Sequence, residues 1–466
     1  MQKTILLHVV LLLLLSFNCT SEPGPEPGPE HPEGTTPIPA STQRSGDAAA
    51  GYQYLIYGDY VSHGIPLAVF KQVYGAADPD DIGRTGNSAG ISFRFNVVTA
   101  SNGVQVVAPT CLACHAERLN GQLVLGLGNN TTDNSADQGA NFQAADLAVQ
   151  FLYGPNSPEW AAYYPLSRGY KAIGPYTRTQ VRGPNPADKI FATLAAHRNA
   201  ADLSWIDNPQ FTVPGEVVPT DVPAWWLLKK KNALYYNALG VGDFARLSSA
   251  SGMLVMQDSA EARRIDARMT DIIAWIRSLE APAYPYAIDP NLAQQGKTIF
   301  EKNCSKCHGT YGSNETYPNL LVNLKTAGTD PLLSQTYQIY PEYHTWYNNS
   351  WYAQGDHKAQ LLPNEGYIAP PLDGIWATAP YLHNGSVPTL DDLLDSEQRP
   401  AYWKRSFDNS DYDPLKLGWK YTRESAQTDA NTYNTTLPGY GNGGHTFGDV
   451  LDSASRKALL EYLKTL

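Results

Sequence analysis

Four of the chain's five cysteines fall in two short words, Cys111 and Cys114 in CLACH and Cys304 and Cys307 in CSKCH. A histidine follows directly in each, His115 and His308. Two thiols on one helical turn can add across the two vinyl groups of haem, and the adjacent imidazole is then carried beneath the iron as its proximal ligand. A disulfide pair would not call for the repeated histidine. Zinc would need four ligands gathered in one place, and a redox-active CxxC would need a thioredoxin-like βαβ context that the flanking sequence lacks. The two words therefore call for two covalently bound haem c groups.

The far side of each iron decides between electron transfer, which suits a strong sixth ligand, and oxygen or peroxide chemistry, which needs an open face. The chain has four methionines, Met1, Met253, Met256 and Met269, and none follows the second motif. The second half therefore offers His344, His357, His383 and His445. Each alone suits a surface or hydrogen-bonded role, but at least one of the group is expected to be a ligand. His445 stands in GYGNGGHTFGD, where glycines let backbone approach a flat macrocycle closely. Downstream of Cys114 the first half offers only His197, Met253, Met256 and Met269. Met269 and His197 sit on predicted helices where packing accounts for them, and His63 precedes the motif. The first haem is thus expected to be open and to take dioxygen or peroxide.

The elements around these residues set the context. Lys3 followed by the apolar run Ile5 to Leu15 reads as a signal peptide, and Cys19 stands where a lipoprotein would be cleaved and acylated, although Asn18 is larger than the residue usual there. Residues 1–19 are thus expected to be a lipoprotein-type signal, giving an exported protein, periplasmic or outer-membrane, with Cys19 as its lipid anchor. Residues 20–49, with PGPEPGPEHPEG, read as an extended Pro/Glu-rich tether. A net charge of −11 disfavours nucleic acid, and contact with a membrane is expected only through the anchor.

Beyond the tether the chain is long enough for two or three domains. Leu292, Gly296, Ile299 and Phe300 form a helical stripe leading into Cys304. Ile272, Ile273, Ile276 and Leu279 match Leu459, Leu460, Leu463 and Leu466 as amphipathic closing helices of two halves. Prolines 282, 285 and 290 mark the boundary. The expected architecture is mainly α: two cytochrome c-like haem domains in tandem, residues 50–282 and 283–466, with long irregular loops.

The stretch DGIWATAPYLHNGSVPTLDDLL (373–394) resembles one shared by bacterial di-haem cytochrome c peroxidases and their relatives. Together with AWWLLKKKNALYYNALGVGDFARL (224–247) and GGHTFGDVL, it is similar to the di-haem rubber oxygenases, exported enzymes that cleave polyisoprene oxidatively with dioxygen. The resemblance implies that His115 is the proximal ligand of an N-terminal catalytic haem with an open or dioxygen-holding distal face. His308 and His445 would be the two axial ligands of a low-spin C-terminal haem. Trp225 and Trp226 match an aromatic pair near the interhaem contact, which makes Trp226 an electron relay. Lys229, Lys230 and Lys231 form either a solvated face or contacts to haem propionates, and His383 has a structural or propionate-contacting role. Ca²⁺ between the domains is a further cofactor that the peroxidase relatives carry.

The implied partners are dioxygen or hydrogen peroxide, an apolar small-molecule or polymer substrate and a redox-partner protein. A peroxidase-type glutamate opposite the first haem is not identifiable. The alternatives are a di-haem peroxidase and a non-catalytic electron carrier. The long loops at 116–260 and 309–440 exceed what a carrier needs and favour an enzyme.

Overall fold

A computed structural model of the chain describes residues 31–74 and 82–466. The signal run and the proposed anchor Cys19 lie outside the described residues.

The helices that frame the two motifs begin where the sequence supplies caps. Asp258 accepts from the Ala260 and Glu261 amides and opens the helix Ser259–Ser278, which buries Ile265, Met269, Ile272, Ile273 and Ile276. This helix packs against Ala48–Tyr57, capped in the same way by Asp47. In the second half Asp289 caps Pro290–Asn303, with proline at its first position, and Asp452 caps Ser453–Leu463. These two helices cross at Gly296, where a Cβ would overlap the Ala458 carbonyl. The helix Pro290–Asn303 then ends at Cys304, whose amide donates to the Phe300 carbonyl at 2.8 Å, so the crossing sets the position of the second motif.

Helix takes 40% of the residues and strand 14%, so the mainly-α expectation holds only loosely. Each sheet has two or three short strands. Gln105–Pro109 runs between Ile65–Pro66 and Phe95–Thr99 and delivers the chain to Cys111. Ala116–Leu119 and Gln122–Leu125 form a hairpin directly after His115, its turn made by Asn120 at φ 51° and Gly121 at φ 78°. Both central residues in the left-handed region match the twist of a two-residue hairpin.

The expected tether is packed from Thr35 onward. Thr35–Pro37 pairs antiparallel with Leu320–Asn323, which pairs in turn with Gly366–Ile368. Ile38 is buried, and Arg44 forks to Asp243 and Asp266 at 2.7 and 2.6 Å. Proline and acid content alone suggested solvation, but a strand from the other half supplies the partner that local composition cannot show.

The chain between 279 and 289 is irregular, yet packing does not divide there. One core gathers Leu55, Leu112, Met253, Ile265 and Ile272 with Tyr337, Tyr343, Trp346, Tyr347 and Tyr352 from the second half. The other gathers Phe300, Trp376, Leu390, Leu459 and Tyr462 with Leu119, Leu127 and Trp226 from the first.

Because Gly296 has no room for a side chain, Gly296→Val should lower stability by about 1–3 kcal/mol through overpacking. A fall in the thermal unfolding midpoint checks it, and an unchanged midpoint would mean that the two helices can separate without cost.

Candidate functional site

The first motif is a single helical turn, Leu112–His115, held between the strand that precedes it and the hairpin that follows. The Thr110 hydroxyl donates to the Phe93 carbonyl at 3.0 Å, and the Cys111 amide donates to the Tyr60 hydroxyl at 3.3 Å. The His115 amide donates to the Cys111 carbonyl at 3.0 Å, which brings both thiols and the imidazole to one end of the turn. The His115 ring stacks on Trp225 with centroids 4.5 Å apart and planes 17° from parallel. The Gly126 amide donates to the His115 carbonyl, and the Gly126 carbonyl accepts from the Trp225 amide, each at 2.8 Å. One residue therefore ties the histidine to the tryptophan beneath it.

The second motif repeats the turn. The His308 amide donates to the Cys304 carbonyl at 3.0 Å, and His308 Nδ1 donates to the Pro370 carbonyl at 2.7 Å. A carbonyl can only accept, so the proton sits on Nδ1 and the lone pair is left on Nε2. The His445 ring stands opposite, with its centroid 6.2 Å from that of His308. A metal between two imidazoles, with metal–nitrogen bonds of about 2 Å, separates the ring centroids by about 6 Å.

A glycine loop presents His445. The His445 backbone is left-handed at φ 46°, and its amide donates to the Ala327 carbonyl at 2.7 Å. Gly444 lies against the Gly328 backbone, where no Cβ fits. The Arg399 guanidinium donates to the Asn442, Gly444 and His445 carbonyls, and the Asp330 carboxylate accepts from the Gly439 and Gly441 amides.

These residues fit haem c. Burial pushes the Cys111 thiol up to about 12 and Cys304 to about 11, so neither carries a charge in this interior. Burial holds His115 down to about 4, and the nearby Pro223 carbonyl only partly opposes it. Burial, then His308 and Arg399, hold His445 down to about 4 as well. Burial also lowers His308. All three are therefore neutral imidazoles with a lone pair to give. Nδ1 of His115 and of His445 is buried without a hydrogen-bond partner. Among the described residues no three His, Cys, Asp or Glu side chains gather as a bare-metal site, and the four motif cysteines are unpaired thiols.

The other candidate ligands of the first half make no ring contact with His115 among the described residues. His197 Nδ1 lies 2.9 Å from the Ile206 carbonyl and its ring stacks on Trp205. The Met256 sulfur accepts from the Tyr352 hydroxyl at 3.8 Å, Met253 and Met269 are buried in the core, and His63 Nδ1 lies 2.9 Å from the Ser62 hydroxyl. In the second half His383 stacks on Tyr367 with centroids 4.1 Å apart, and its buried Nε2 has no partner. Trp226 is 1% exposed, donates through Nε1 to the Asp373 carbonyl at 2.8 Å and packs in the second core. Its neighbour Trp225 lies against His115, so the adjacent indoles face different centres. Sequence reasoning found the tryptophan pair but not the stack on His115, and it found neither Arg399 nor Pro370, whose roles depend on contacts distant in sequence.

A family model described as RoxA-like, cytochrome c-like matches residues 366–404. That stretch contains Pro370, which fixes His308, and also His383 and Arg399. The chain is 29% identical over 253 residues to the uncharacterized protein y4iJ of Sinorhizobium fredii, covering 40% of this chain and 41% of that protein. It is 26% identical over 312 residues to the uncharacterized protein y4iM of the same organism, covering 58% and 69%. Against a cbb3-type cytochrome c oxidase subunit CcoP of Rubrivivax gelatinosus it is 28% identical over 127 residues, 26% of this chain and 37% of that one. The chain thus spans less than half the length of y4iJ and of CcoP.

These matches support a c-type cytochrome. Cytochrome c-like domains imply covalently bound haem c.

Two haem c groups should add about 1.2 kDa to the polypeptide, read by intact mass. A mass with a single haem would leave one motif without its group. His445→Ala should convert one low-spin iron signal into a high-spin one by electron paramagnetic resonance. An unchanged spectrum would move the sixth ligand of the second centre to His344, His357 or His383.

Proposed function

We propose that the chain is an exported di-haem c-type oxidoreductase that activates dioxygen at its N-terminal haem to oxidise an apolar, polyisoprene-like substrate. The C-terminal haem then serves in electron transfer. The observation that carries this reading is the asymmetry of the two centres. His308 has a second imidazole, His445, at 6.2 Å, whereas His115 has an indole stacked on it and no imidazole facing it among the described ring contacts. When bound, haem would supply the iron at which dioxygen is activated, while cleavage of a carbon–carbon double bond by dioxygen into two carbonyl groups takes its electrons from that bond and both oxygen atoms enter the products.

The chain's own residues account for the rest. His115 would hold the first haem through its lone pair, with Trp225 stacked on the imidazole to keep its ring in place. His308 and His445 would together hold the second, which would then serve in electron transfer rather than in binding the reactant. Trp225 lies against His115 and Trp226, the next residue, is buried in the second core, so the pair of indoles would carry electrons from one centre to the other. Tyr337, Tyr343 and Tyr347 are buried in the first core and Tyr235 packs against it, with the Asp188 carboxylate near Tyr337 and Asp266 near Tyr347, and this largely aromatic interior supports an apolar substrate.

Oxygen consumption coupled to product formation from polyisoprene or a smaller unsaturated compound tests the reading. It should need no peroxide, and Trp226→Phe should keep haem content while slowing interhaem transfer. Turnover only with peroxide would indicate a peroxidase. Six-coordinate spectra at both centres with no turnover would indicate an electron carrier.

A further inference from the structure

Arg405 directly follows the strand Tyr402–Lys404 and is only 5% exposed. Its Nη2 donates to the Asn130 carbonyl and, at 2.7 Å, to the Asn130 side-chain oxygen. Its Nη1 is buried and has no hydrogen-bond partner. The guanidinium lies 4.4 Å from the Trp419 ring centroid and 4.3 Å from that of Phe407, and the Arg182 guanidinium lies 4.2 Å from the same Phe407 centroid. Arg182 spends its Nε on the Thr131 carbonyl at 2.8 Å. Phe407 itself is left-handed at φ 60°, a backbone state that a bulky residue holds only where its surroundings impose it.

Both arginines form the wall of one cleft, about 340 Å³ including its open mouth, together with Pro184, Pro380, Trp403 and Phe407. Asn130 and Pro184 stand next to Asn129 and Asn185, whose side-chain amides donate to the Ala113 carbonyl at 3.1 Å and to Cys114 Sγ at 3.5 Å, so the cleft adjoins the first motif. The one carboxyl among the lining residues is Asp221. It accepts from the Tyr236 hydroxyl at 2.7 Å, and burial pushes it up to about 7, which leaves it partly charged at neutral pH. Glu117, also near Arg405, is taken by the Thr131 hydroxyl and by Arg94 at 3.7 Å. Among the described residues no ion pair includes Arg182 or Arg405. Two guanidinium charges thus face the cleft with less than one balancing charge in its wall. A water could satisfy Nη1 but would leave that excess in place, whereas a carboxylate supplies both an acceptor and a charge.

We infer that the cleft binds a small organic carboxylate. Its head would lie on Arg405 Nη1 and the free end of Arg182, and its short apolar tail on Trp403 and the two prolines. The residues that would hold it come from both halves of the chain, so the ligand would tie them together beside the first motif. The site is separate from the proposed reaction and does not depend on it.

Equilibrium dialysis of isotope-labelled butyrate against the full-length holoprotein tests the site. Binding should saturate at one molecule per chain, and the thermal unfolding midpoint should rise with butyrate concentration, because a ligand of the folded state stabilises it by mass action. Arg182→Gln, at a half-buried position, should weaken binding by about tenfold, the loss expected for one charged hydrogen bond. Arg405→Lys keeps the charge but not the fork and should weaken binding at least as much. If the lysine variant does not accumulate, Arg182→Gln decides alone. Butyrate binding that Arg182→Gln leaves unchanged would place the ligand elsewhere and overturn the site, and the absence of saturable binding would leave the cleft to water. Displacement of butyrate by an equal concentration of chloride or inorganic phosphate would overturn the carboxylate assignment in favour of an unselective anion site.

Discussion

The molecule depends on keeping imidazoles neutral in its interior with one lone pair free. A buried imidazolium would repel a metal and would cost several kcal/mol in lost solvation, so burial itself selects the form that can ligate. At His308 a single bond to the Pro370 carbonyl completes the selection by fixing which nitrogen carries the proton. The rest of the second half is arranged around that bond. The crossing at Gly296 sets the turn that bears His308, the segment after Gly366–Ile368 supplies Pro370, and Arg399 gathers the carbonyls of the loop that brings His445 opposite.

The two centres are built jointly by both halves of the chain. Tyr337 to Tyr352 fills the core around the first motif, and Trp226 fills the core around the second. The backbone follows the same pattern, with Gly240–Gly242 paired to Ala359–Leu361. Buried aromatic area of this kind fixes one half against the other far more firmly than a polar interface would.

The sequence made legible what is local. The CxxCH words, the caps and apolar stripes of Ser259–Ser278 and Ser453–Leu463, and the glycine-flanked His445 all stand where spacing and residue type placed them. What it hid is long-range. The strand Thr35–Pro37 lies in a stretch whose prolines and glutamates read as solvated, because its partner lies almost three hundred residues away. The tyrosines between 337 and 352 read as a loop of the second haem domain, yet they pack beside the first motif. The stack of Trp225 on His115 was half visible, since the paired tryptophans stood out but only the fold shows which of the two meets the imidazole.

The pairing of Thr35–Pro37 with Leu320–Asn323 also constrains how the chain can assemble. The ribosome makes the first strand long before the second, so Thr35–Pro37 has to wait for its partner until most of the protein has emerged. Its placement is therefore a late event of high contact order, entropically expensive to close and slow by the ordinary relation of topology to folding rate. Until it docks, the edge of Leu320–Asn323 stays open and able to pair with another chain. Once docked, it works as a clasp, linking the beginning of the fold to its second half.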